Sequence, residues 1–265
     1  MPLRPAILLL VAFASSACHA QSEPPPDGFE DNWKFNMGLG IASAPKYPGS
    51  ATERIRAMPV LGANYGRFFI GGVPGGGAAA GVGMYLLRES GWSVGVGLGG
   101  NLASPRKESD SARLQGMGDI SKTALGSVFA NYDWRWLAVH TRLQADIGGH
   151  GQGTTADLGL EARLPLGGGF AVSAGPSLTW SDHSHRQTFF GVTTAQSASS
   201  GLAIHTPGSG LESAALNLGA NYVSESHWGA GARVSVGRLA GAAADSPVVE
   251  KKDQTSLGLF VNYGF

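Results

Sequence analysis

The chain has 265 residues, 41 of them Gly, with hydrophobic residues at 43% and charged residues at only 14%. That hydrophobic share excludes wholesale disorder, and a mean hydropathy near zero excludes a bundle of membrane helices. Lys+Arg 19 against Asp+Glu 19 leaves no net charge, so there is no electrostatic footprint for nucleic acid.

Residues 1–20 read as an export signal. Arg4 supplies the positive start, Ala6 to Ala14 an apolar run of about nine residues, and Ala20-Gln21 a cleavage point after small residues. The run is too short to span a bilayer, which takes ~20 residues. Ser15, Ser16 and Ala17 stand before Cys18 where a Leu-led lipidation motif would be needed. Cleavage leaves no cysteine, hence no disulfide and no Cys-based zinc site. Residues 21–32, with Pro24-Pro25-Pro26, form a periplasmic segment of linker character.

From residue 33 to 265 the dominant pattern is alternation with period two. Trp33, Phe35, Met37, Leu39 and Ile41 begin it, and Trp92, Val94, Val96 and Leu98 repeat it against Ser93, Gly95, Gly97 and Gly99. It returns in Leu137 to Ile147, Ala156 to Leu164, Phe170 to Trp180, Leu216 to Tyr222 and Trp228 to Val236. The last run is Leu257, Leu259, Val261, Tyr263 and Phe265. The runs suit tilted membrane strands of ~9–11 residues. Charge segregates with phase. The apolar phase carries none, whereas the other holds Lys34, Arg142, Asp146, Asp157, Glu161, Arg163 and Arg233. A lipid-facing Arg or Lys costs ~2–4 kcal/mol at mid-bilayer, which accounts for that segregation. Trp33, Trp92, Trp180, Trp228, Tyr222 and Tyr263 at strand ends predict aromatic girdles at both membrane surfaces.

Less regular stretches at residues 55–65, 68–72, 81–87 and 123–132 bring the expected total to about twelve strands, an even number as single-chain barrels require. Pro59 and the run Val73-Pro74-Gly75-Gly76-Gly77 leave ten as the alternative. The connections expected outside the cell (residues 44–54, 73–79, 102–120, 148–153, 182–210 and 240–253) are mostly long. Those expected in the periplasm (66–67, 88–91, 133–135, 165–169 and 224–226) are short. The expected fold is therefore an all-β, closed antiparallel transmembrane barrel in the outer membrane of a Gram-negative bacterium. Its lipids surround it, and unpaired backbone in hydrocarbon forbids an open sheet edge. A final strand ending in Phe265 resembles the segment read by the barrel-insertion machinery, making Leu257, Leu259, Val261, Tyr263 and Phe265 a candidate assembly signal.

Catalytic and cofactor patterns are weak. Asp182-His183-Ser184-His185 places two His on one face if the segment is extended, but it begins a long outer loop with no acid or nucleophile tied to it by spacing. No His-Glu-x-x-His or Cys-pair spacing supports a metal. Gly95, Gly97 and Gly100 match a dinucleotide fingerprint formally, yet lie inside a strand with no helix following. The expectation is a protein without catalytic residues, cofactor or metal. Inside the barrel, near-symmetric pairing of residues 137–147 with 156–164 would put Arg142 diagonally between Asp157 and Glu161. That charge cluster reads either as ordinary wet wall or as a constriction of the lumen.

Four segments carry a family likeness. They are Pro45-Lys46-Tyr47-Pro48-Gly49-Ser50 followed by Arg56 and Pro59; Gly116-Met117-Gly118-Asp119-Ile120; Gly148-Gly149-His150-Gly151; and Phe190-Gly191-Val192-Thr193 continuing through Leu202 to Pro207-Gly208-Ser209-Gly210-Leu211. On these the chain resembles the MipA/OmpV family of outer-membrane proteins. The resemblance implies a non-enzymatic scaffold for a murein-synthesising penicillin-binding protein and a murein-cleaving lytic transglycosylase. It also implies, as an alternative, a small-solute channel. A lipid-modifying enzyme built on residues 182–185 is the least favoured reading.

Overall fold

A computed structural model describes residues 28–72, 80–100 and 104–265. The signal segment, most of residues 21–32 and the Val73 to Gly77 run lie outside the described residues. Twelve antiparallel strands close into one barrel: β1 Trp33–Pro45, β2 Glu53–Tyr65, β3 Phe68–Gly72, β4 Ala80–Glu89, β5 Trp92–Gly100, β6 Ala124–Trp134, β7 Leu137–Asp146, β8 Thr154–Gly167, β9 Phe170–Ser181, β10 Gly210–Val223, β11 Trp228–Leu239 and β12 Asp253–Gly264. Each strand pairs with its sequence neighbours, and β12 returns to β1 in register from Asn36 opposite Gly264 to Ser43 opposite Leu257. Phe265 extends that seam through reciprocal backbone bonds with Phe35 of 2.7 and 3.0 Å. Closure leaves no unpaired edge in hydrocarbon, which is the condition for a spanning sheet.

The twelve-strand expectation holds, including at its weakest point. Pro59 lies opposite Leu39 of β1, while the ladder between β2 and β3 covers only Ala63 to Tyr65, so Pro59 falls where that side of β2 has run out of described partners. A residue without an N–H is tolerated at such a place. The short turns also fold as hairpin chemistry requires. Ser90-Gly91 and Gly168-Gly169 take positive φ at both central positions, the geometry whose twist matches the flanking strands.

The two phases of each strand sort as expected. Leu39, Ile55 and Leu98 are 71, 69 and 57% exposed on the outer face, an arrangement stable only against lipid. Inward glycines make room for large lumen side chains of the adjacent strand. Phe69 lies opposite Gly83, Phe129 opposite Gly95 and Phe260 opposite Gly231. A methyl group on those glycines would sit 2.1, 2.5 and 2.4 Å from the respective ring atoms.

The aromatic girdle differs from the expectation of two belts. Of the six tryptophans, Trp33, Trp92, Trp134, Trp136 and Trp228 gather at the short-turn end, and Trp180 is placed at the loop end. Phe35, Tyr65, Tyr132, Phe170, Tyr222, Tyr263 and Phe265 reinforce the same rim through ring contacts of 4.5–5.8 Å. The long and short connections read from the sequence already set Trp180 alone beside an outer loop, and the strand connectivity gathers the others on the opposite rim.

Candidate functional site

The outer connections fold together into a cap. Residues 108–114 form two short 3-10 turns, and three helices follow: α1 His183–Phe190, α2 Thr194–Ser200 and α3 Gly241–Ala244. Asp182 caps α1 by accepting from the His185 N–H, and Thr193 with Gln196 makes a reciprocal capping box on α2. Two apolar clusters bind these pieces. One contains Ile120, Phe189, Phe190, Leu239, Ala243 and Ala244; the other Tyr47, Leu114, Met117, Val192 and Val248. Phe190, Leu114, Val192 and Val248 are fully buried.

Polar bonds cross between the loops. Arg106, 2% exposed, donates to the Phe189 carbonyl at 2.9 Å, Ser246 to the Phe190 carbonyl at 2.5 Å, and Arg113 to the Pro247 carbonyl at 2.6 Å. Burial lowers the pKa of Arg106, partly offset by Tyr47 and Asp119. Glu250 accepts from the Ser111 hydroxyl and, at 3.0 Å, from the Ala51 N–H. Burial pushes its carboxyl up, but those donors outweigh it and hold the pKa below the ordinary value. Burial, followed by the Glu250 charge, pushes the Tyr47 phenol up to about 12.

The segment at residues 182–185 is corrected by this geometry. It is helical, so His183 and His185 lie about 200° apart around the helix and do not share a face. His183 Nδ1 meets the Pro207 carbonyl at 2.8 Å. His185 Nδ1 meets the Gln152 carbonyl at 2.8 Å, while its Nε2 lies 3.4 Å from Glu212, a partner 27 positions away that no spacing rule connects to it. The long outer loop that begins there is thus folded, and the Thr193-x-x-Gln196 box and the Phe189-Phe190 pair are the sequence features that mark it.

Below the cap the lumen carries charge in two tiers. Arg142 does not sit between Asp157 and Glu161. The register sets it directly opposite Asp157, which it contacts at 2.6 Å, and Asp157 also accepts from Thr179 at 2.8 Å. Glu161 is opposite Ala138, four residues along, or roughly 13 Å at ~3.3 Å per residue. There it joins Arg163 at 2.8 Å and His140 at 3.4 Å, and Arg163 reaches Asp133 at 2.5 Å. The sequence cluster therefore resolves into an Arg142–Asp157 pair and a separate Asp133–Arg163–Glu161–His140 network. Phe69, Tyr85 and Phe129 occupy the lumen from β3, β4 and β6, with ring centroids 5.2–5.9 Å apart. The candidate assembly residues Leu257, Leu259 and Val261 line the outer face of β12, which ends in Tyr263 and Phe265 with ring centroids 5.8 Å apart.

A closed antiparallel barrel with lipid-exposed apolar strands, short turns at one end and folded loops at the other is an outer-membrane barrel of a Gram-negative bacterium. The family model described as MltA-interacting protein MipA matches residues 37–265, and the chain belongs to that family. Two relatives, both described as "MltA-interacting protein", come from Escherichia coli K12 and Shigella flexneri. Each is 22% identical over 261 residues, covering 98% of this chain and 97% of the relative. Among solved structures, the NanC porin matches with a TM-score of 0.46 and 9% identity, over 86% of this chain and 98% of that one. OmpT of Vibrio cholerae matches with a TM-score of 0.39 and 9% identity, over 91% of this chain and 99% of that one. The four segments that carried the family likeness all belong to the cap end. Tyr47, Met117, Val192 and Leu202, drawn from three of them, meet in one apolar cluster.

Proposed function

We propose that this barrel is a non-catalytic binding and scaffolding protein of the cell envelope. At its periplasmic face it holds a lytic transglycosylase and, with it, a murein-synthesising penicillin-binding protein. The observation that carries the reading is the closed design of the lumen. A cap with its own apolar core covers the outer end, and ion pairs and aromatic rings cross the lumen farther down, so the barrel offers surfaces to partners. The name of the two relatives supports the transglycosylase as partner.

The periplasmic rim supplies a surface of suitable chemistry. Trp134 and Trp136, half-exposed with rings 6.5 Å apart, flank Arg135 beside a depression of about 420 Å³ that also includes Asp133 and Arg163. Exposed Trp and Arg are the side chains most enriched where binding energy concentrates. A photo-crosslinker at Arg135 in intact cells should capture a lytic transglycosylase, and Trp136→Ala should weaken recovery of the complex. Crosslinks only to lipid or to itself under native expression would overturn the scaffold reading. The outer face of β12 through Phe265 is the segment we assign to the insertion machinery. A solute pathway is the second reading, favoured by a chamber under the cap, and planar-bilayer conductance separates it from the first.

A further inference from the structure

Between the cap and the Arg142–Asp157 tier lies a chamber of about 490 Å³, roofed by Tyr47, His185 and Phe189 and walled by inward residues of the strands. That volume falls within the ~300–1,000 Å³ of small-molecule sites. Apart from Arg56, its charged side chains have polar partners. Arg54 pairs with Asp110, which lies in the cap, and Lys46 donates to the Asp110 carbonyl at 3.2 Å. Glu212, 8% exposed, faces His185 at 3.4 Å and lies in the field of Arg186.

Arg56 is the exception. It shares the inward phase of β2 with Arg54 and lines the chamber, and among the described residues it has no ion pair and no hydrogen bond. A guanidinium stays charged at any physiological pH, and its planar fork fits carboxylate or phosphate in bidentate fashion. The one carboxylate whose charge reaches it, Asp110, is already paired with Arg54, so the two guanidiniums leave a net positive charge in a walled space that a bound anion would offset.

We propose that the chamber binds a small anionic solute, carrying a carboxylate or a phosphate group, with Arg56 as its charge-recognising residue. Neutral polar groups such as Gln144 and Thr155 on the far wall suit the hydroxylated remainder of such a solute. The proposal is independent of the scaffold reading, because the chamber and the periplasmic rim are at opposite ends of the barrel.

The test uses the full mature chain, folded in detergent and titrated calorimetrically with three matched probes: glucose, glucuronate and glucose 6-phosphate. Binding of at least one anion and not of glucose is expected, weakening as salt rises. Which anion binds decides between carboxylate and phosphate. Arg56→Gln should weaken binding about tenfold or more, as loss of a charge-assisted hydrogen bond implies. Arg56→Lys, which keeps the charge and guards against misfolding of the Gln variant, should retain part of the affinity. Failure of both anions to bind at about 10 mM, equal binding of glucose, or unchanged affinity in both variants would overturn the proposal.

Discussion

The barrel wall and the cap above it are stabilised against opposite solvents. In the wall the apolar side chains point outward, as Leu39 at 71% and Ile55 at 69% exposure show, while Arg142 and Asp157 point inward. The cap reverses this order. Phe190, Val192 and Val248 are buried centrally, and polar loop residues such as Lys107, Lys122 and Lys251 face water or the cap surface. One chain thus contains an inside-out membrane domain joined to a small water-type core. The wall depends on backbone closure and lipid, whereas the cap depends on the hydrophobic effect between loops remote in sequence.

Damage to the wall should spread through the barrel, and damage to the cap should remain there. Arg142→Ala leaves Asp157 uncompensated and should cost ~3–5 kcal/mol of barrel stability. Urea unfolding followed by heat-modifiable gel migration reads this loss, and Arg142→Ala with Asp157→Ala should recover part of it. Phe190→Ala should cost a comparable ~3–5 kcal/mol, confined to the cap. Rapid proteolysis of residues 182–210 with an unchanged barrel band is the expected pattern, and simultaneous loss of both would erase the distinction between the regions.

Leu259→Arg should cost ~2–4 kcal/mol by placing charge in hydrocarbon on the outer face of β12. Folding yield into lipid vesicles measures it, and Thr255→Arg, on the same outer phase but at the loop end of the strand where the cost falls to ~0–1 kcal/mol, is the matched control. The smallest effect concerns acid. Because the Glu250 carboxyl is held below its ordinary value, its contribution to the cap is complete above the ordinary carboxylate range. It is lost progressively as pH falls from that range through the lowered value. Loop protection against an acid-active protease should drop there first, and Glu250→Gln should flatten the dependence.

The strands, their lipid and lumen faces and the long-loop, short-turn asymmetry were legible because each follows from neighbours two residues apart or from the length of one connection. The charge cluster was half legible. Arg142, Asp157 and Glu161 were recognised as lumen residues by phase, but a shift of two positions in pairing decides which of them meet. The cap was hardly legible. Asp182 to Arg186 reads as polar loop until Phe189 and Phe190 find Ile120 and Leu239, residues 69 and 49 positions from the nearer member of that pair.

By itself the sequence determined that this protein crosses a membrane as alternating strands and turns tightly at one end, because period-two patterning is a local property that hydrocarbon selects directly. The packing of the loops into a core, the place of Glu212 beside His185 and the lack of an ion pair for Arg56 among the described residues come from the tertiary structure alone. Those facts depend on register and on loop packing, which join positions no local pattern links.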